Sequence, residues 1–127
     1  MLDVWNTAIN CADAYASSQW WCELLGYEHV AGDPNEPGDT ECAIVHPTTG
    51  HCLLFLQVEH VQDQQGLVHL ALASRERTRD EEVDRALEHG ATLREDRRND
   101  DGTGWVVLND PFGVTFCIVR AAHERAD

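Results

Sequence analysis

The sequence predicts an α+β fold made of two βαβββ modules. Three observations predict it. Strand-like and helix-like segments follow the same order in both halves of the 127 residues. Gly26 and Gly90, 64 residues apart, each stop an amphipathic helical segment. Asn6 and His69, 63 residues apart, stand near the starts of equivalent strands. The expected repeats span about residues 4–60 and 66–120 of a single domain. The short VQDQQG connection argues for modules that pack together.

In the first half, VWNTAINC (4–11) alternates and is rich in strand formers. Asp13 occupies an N-cap position before AYASSQWWCELL, with Trp20, Leu24 and Ala16 on one expected face and Gly26 at the stop. A short strand is expected over 27–31. GDPNEPGD is turn chemistry throughout, and strands over 41–46 and 51–58 form a hairpin around PTTG.

The second half restates this order. A strand is expected over 67–73, and Thr78 with Glu81 has the spacing of a capping box. Val83, Ala86 and Leu87 mark the expected buried side of the helix. A strand over 92–95, the polar loop RRNDDGTG, and paired strands over 105–109 and 114–120 complete the module. The last pair is joined by an Asp-Pro-x-Gly turn, in LNDPFGVTFCIVR.

The formal net charge is −14, and no lysine is present. Nucleic acid and anionic membrane surfaces need cationic patches, so neither is an expected partner. An acidic surface suits solubility and also a cationic small molecule. The N-terminus lacks a basic leader and a continuous apolar core, and CLLFLQV and LVHLALA have strand length, too short to span a bilayer. Five cysteines, an odd number without a CxxC spacing, read as reduced thiols of a cytoplasmic protein. Ser17, Ser18 and Ser74 have no nucleophile-elbow or SxxK context, and no glycine-rich phosphate loop occurs. His46 and His51 flank a turn and read as exposed turn residues, not as a metal pair. Trp5 has the opposite strand parity to Asn6 and is expected to pack towards the helix.

WWCELLGY, LVHLALAS, EVDRALEHGAT and GWVVLNDPFGVTFCIV, in this register, resemble the vicinal-oxygen-chelate superfamily. The similarity is to its short glyoxalase-like and bleomycin-resistance-like members and covers about residues 4–120. It implies the glyoxalase/bleomycin-resistance/dioxygenase fold, in which the two modules form a cupped mixed sheet, and a site in the cup, where enzymes of the superfamily hold a divalent metal through His, Gln and Glu side chains. His69 falls on the histidine position of the second module. Asn6 falls where the first strand offers a ligand, Leu54 lies near the equivalent of the last-strand position, and Cys117 falls where DP-x-G enzymes keep glutamate.

That donor set is incomplete, so no intact metal site is expected; His69 is the one inherited candidate ligand, and a divalent metal would need non-inherited partners. Cys117 reads mainly as a small apolar strand residue. A thiolate nucleophile paired with His69 is the sharper alternative. Trp105 reads as packing, or as a ligand wall or dimer contact. The resemblance therefore implies a small-molecule-binding protein of the antibiotic-sequestering, bleomycin-resistance type. Asn6, Leu54, His69, Trp105 and Cys117 would line its site, the ligand would be cationic or planar aromatic, and the protein would be a homodimer. The alternative is a metal-variant or metal-free lyase, isomerase or dioxygenase-like enzyme using His69 as its catalytic group.

Overall fold

The computed structural model describes residues 1–61 and 68–125. The chain divides into two compact units, Met1–Gln62 and Asp63–Asp127. Most of the connecting segment, and Leu67 at the head of the expected strand over 67–73, lie outside the described residues.

In the first unit, β1 (Thr7–Cys11), α1 (Ala14–Leu25), β2 (Glu28–His29), β3 (Glu41–Val45) and β4 (Cys52–Gln57) follow one another. The sheet order is β1-β4-β3-β2, with β1 parallel to β4 and the other pairs antiparallel. The second unit repeats this with β5 (Leu70–Leu72), α2 (Arg79–Glu88), β6 (Thr92–Asp96), β7 (Val106–Asn109) and β8 (Thr115–Ile118), in the order β5-β8-β7-β6. Again the outer pair β5–β8 is parallel. Two βαβββ modules of identical topology are what the repeat predicted. A short helix, α3 (Ala122–Arg125), follows them.

Local chemistry sets the helix ends. The Asp13 carboxylate accepts from the Ala16 amide at 3.0 Å, while Gly26 at φ 81° lets its own amide reach the Cys22 carbonyl at 2.8 Å. At Thr78 the capping box is complete: its hydroxyl accepts from the Glu81 amide, and Glu81 accepts from the Thr78 amide. The DPFG turn is closed by Asp110, whose Oδ1 accepts from the amides of Phe112 and Val114, both at 2.8 Å.

Alternation along β4 divides the first unit's core from its opposite face. Leu53 and Phe55 are buried beside Ile44 and Cys42 of β3, and Trp21 of α1 stacks on Phe55 with ring centroids 6.4 Å apart. Gln57 continues this side, its Oε1 accepting from the first amide of α1 at 3.1 Å. The buried side of α1 comprises Ala14, Ser17, Ser18, Trp20, Trp21 and Leu24, so Ala16 lies at its margin. In the second unit Val106, Leu108 and Phe116 are fully buried on one side of the sheet, and α2 buries Arg79, Val83 and Ala86.

Several local expectations change. Trp5 does not pack towards the helix: the strand begins only at Thr7, so strand parity does not govern Trp5, which is 92% exposed. The strand expected over 27–31 shortens to Glu28–His29, because a bridge between Val30 and Asp33 turns the chain. Leu87 is exposed, not buried, since it lies about 100° around the helix from Ala86 at the last turn. Among the described residues, no helix is long and apolar enough to cross a membrane.

Candidate functional site

Of the residues singled out from sequence, Leu54 and Cys117 lie in strands, with parity opposite to the core rows, and the others precede strands. In the first unit, Ala8, Leu54 and Ala43 lie side by side in register, with parity opposite to that of Leu53 and Phe55. Leu54 therefore faces away from α1 and is half-buried. Asn6, also half-buried, immediately precedes β1. In the second unit Ala71, Cys117 and Val107 share one row. Cys117 is only 4% exposed, and every residue of β8 is buried. His69 is exposed and lies one residue ahead of β5, two before Ala71. Trp105 immediately precedes β7 and is 45% exposed.

Burial pushes the Cys117 thiol above its ordinary pKa, so the protonated form is favoured. This weakens the nucleophile role for Cys117, which requires the thiolate, and a metal ligand would require it too. A small buried strand residue is the role its surroundings support.

Three features escaped the sequence reading. The first is a β-bulge between Leu93 and Glu95, which adds a residue opposite β7. At this bulge the Arg94 guanidinium donates to Thr115 Oγ1 at 3.5 Å, and the Thr115 hydroxyl donates to Asn109 Oδ1 at 2.8 Å. Thr115 has the same strand parity as Cys117, so polar chemistry lies beside that thiol. No sequence signal marks the bulge.

The second feature joins the hairpin histidines to other residues. His51 bridges two hydroxyls, with Nδ1 2.9 Å from Tyr27 Oη and Nε2 3.2 Å from Thr7 Oγ1. Both the His46 and the His51 rings stand edge-on to Tyr27, and His46 Nδ1 accepts from the amides of Thr48 and Thr49. The two histidines thus close a turn and clamp Tyr27, a more specific role than the exposed turn positions expected.

The third is a charge network at the β6–β7 loop. Arg98 bonds Asp96 at 2.7 Å and Asp80 at 3.2 Å, and Arg79 bonds Asp80 at 2.9 Å. Hydrogen bonds from the Arg98 side chain and backbone hold the Asp96 carboxyl down to about 2, below its ordinary 3.8. A depressed folded-state pKa gives stability that is present above the unfolded value and lost as pH falls through the folded one. Acid titration should therefore remove this contribution between about pH 4 and 2. Denaturation midpoints measured across that window should fall less steeply for Asp96→Asn than for the parent protein.

A sequence model described as a glyoxalase-like domain matches residues 6–119. The chain belongs to the glyoxalase-like domain family. Solved structures agree on the fold. A solution structure of an Agrobacterium tumefaciens protein aligns with TM-score 0.73 at 19% identity, covering 96% of this chain and 99% of that one. The manganese complex of a mutant fosfomycin resistance protein, FosX, from Listeria monocytogenes aligns with TM-score 0.70 at 14% identity, covering 98% and 94%. A glyoxalase/bleomycin resistance protein/dioxygenase family enzyme from Burkholderia phytofirmans gives 0.65 at 18% identity, covering 92% and 97%. No curated protein matches the sequence.

The positions that the sequence resemblance assigns to metal ligands are Asn6 and Leu54 in the first unit and His69 and Cys117 in the second, and their chemistry does not suit a transition metal. Leu54 has no donor atom, and Asn6 offers a neutral amide. Cys117 carries a thiol whose ionisation burial opposes. His69 offers one imidazole. A transition metal bound by protein normally takes three or four donors of matched geometry. Among the described residues, no three His, Cys, Asp or Glu side chains converge on a metal position.

Proposed function

We propose that this glyoxalase-like protein binds a small molecule without transforming it, in the manner of antibiotic-sequestering members of the superfamily. The observation that carries this reading is the donor set. Of the four inherited positions, two hold residues unsuited to a divalent metal and a third holds a protonated thiol. What those faces offer instead is packing and orientation. Ala8, Ala43 and Leu54 make an apolar strip in one unit; Val107 and Cys117, flanked by Thr115 and Asn109, make a mixed one in the other. Ligand sites combine mostly apolar walls with a few placed polar groups.

The net charge of −14 favours a cationic ligand by steering encounter at low salt. The exposed Trp105 suits a planar aromatic one by stacking. A homodimer in a reducing cytoplasm is the setting we propose, consistent with five free cysteines. Fluorescence titration tests the reading in a Trp5→Phe background, where Trp105 is the remaining exposed indole. Saturable quenching by members of a panel of cationic glycopeptides and planar aromatic antibiotics is expected. Quenching by none of them, or stoichiometric divalent metal in the purified protein that His69→Ala removes, would overturn it. The second result would favour a lyase, isomerase or dioxygenase-like enzyme using His69.

A further inference from the structure

Arg79 is buried at the start of α2, an unusual place for a guanidinium. Its Nη1 lies 3.1 Å from each of three backbone carbonyl oxygens, those of Gly102, Thr103 and Gly104. One such nitrogen carries two N–H groups, so three acceptors share two protons around one positive atom. Three carbonyl dipoles converging on a buried point repel one another unless a cation sits between them. The guanidinium is held by one carboxylate and the Arg79 backbone by another. Asp80 accepts from Nε at 2.9 Å, and Glu124 Oε2 accepts from the Arg79 and Ala121 amides, both at 2.7 Å. Of the remaining charges of the cluster, Arg98 pairs with both Asp96 and Asp80.

The clamped segment is the loop between β6 and β7. It is folded on itself by Asn99 N–H to Thr103 O at 2.9 Å and Gly102 N–H to Asn99 O at 3.1 Å. At its exit Gly104 has φ +95° and lies so close to the Arg97 carbonyl that a side chain there would collide with backbone. The Arg97 amide in turn donates to the Trp105 carbonyl at 2.9 Å. The carbonyls that Arg79 gathers thus lead directly into the residue preceding β7.

We propose that Arg79 is a built-in cation that orders the β6–β7 loop and thereby positions Trp105. It is a positioning residue, and only its effect on ligand binding rests on the binding reading of Trp105. Hydrogen exchange on the full chain tests it with two variants. Arg79→Met keeps most of the apolar stem and removes the charge, whereas Arg79→Ala also vacates the space. In both, the amides of Arg97, Asn99 and Gly102 should lose protection on the order of tenfold or more, while β7 and β8 amides keep theirs. Guanidinium below denaturing concentration should restore loop protection in Arg79→Ala but not in Arg79→Met, and equal sodium chloride should restore neither.

Unchanged loop protection in Arg79→Met overturns the proposal. So does loss of β7 and β8 protection in that variant, because the role would then be core stability. Loop loss in Arg79→Ala that guanidinium does not reverse also overturns it. For any antibiotic that quenches Trp105, affinity should weaken in Arg79→Met. If the exchange results hold and affinity does not change, the binding reading of Trp105 fails while the clamp stands.

Discussion

Replacing Trp21 by alanine should destabilise the protein by about 3–5 kcal/mol, the largest single-residue effect expected in the first unit. Trp21 is fully buried, stacks on Phe55 at 6.4 Å and meets the edge of Trp20 at 5.2 Å. It is therefore the main bridge from α1 to the sheet row of Leu53, Phe55 and Ile44. Truncation removes its transfer free energy and leaves a void that two sheet strands and a helix cannot fill without moving. Urea denaturation followed by far-UV circular dichroism would show the loss as a lower midpoint. Trp5→Ala is the matched control. That side chain is 92% exposed, so its removal should change stability by no more than about 0.5 kcal/mol. Equal losses in the two variants would contradict this placement of the core.

The tryptophans show where sequence reasoning reaches and where it stops. Trp21 lies in a segment with an N-cap and a stop glycine, so the helix is legible from local chemistry. Which part of its circumference is buried follows from contact with the sheet, and that shifted the buried side from Ala16 towards Ser17 and Trp21. Strand parity places Trp5 towards the helix, but the strand begins only at Thr7, so parity does not reach it. The capping box and the DPFG turn were legible because each is set within a few residues by hydrogen bonds the chain makes to itself, and the repeat because such local signals recur in the same order.

Arg79, Arg94 and the Tyr27 cluster were not legible, for a common reason. Arg79 finds its carbonyl partners 23 to 25 residues away, and Tyr27 meets His51 across 24 residues. Arg94 reaches Thr115 at a bulge, a register irregularity that leaves alternation of residue types unchanged. Composition shows that such groups exist; only the register between strands shows which of them meet. Cys117 lies between these cases. Its sequence position could be read from the DPFG turn, whereas its burial, which decides its chemistry, could not.

Cys117→Glu should cost about 2–5 kcal/mol at neutral pH, because it introduces a carboxylate at a position only 4% exposed. Glutamate is the residue that metal-binding relatives are expected to carry there, so the variant asks whether this chain retains the rest of a metal shell. Desolvation would raise the new carboxyl's folded-state pKa above its unfolded value. The penalty should therefore be small at acid pH and grow as pH rises through the unfolded value of about 4.3. If the chain is a metal-free binder, adding manganese or zinc should not recover the lost stability, since of the inherited positions in the second unit only His69 offers a donor besides the new carboxylate. Thermal denaturation of parent and variant, with and without each metal and at two pH values, separates the possibilities. A metal-dependent rise in Tm confined to Cys117→Glu, and abolished by adding His69→Ala, would mean that a single substitution rebuilds a working shell. The site would then be a metal centre lacking one ligand, and the case for a binding protein that has left metal chemistry behind would fall with it.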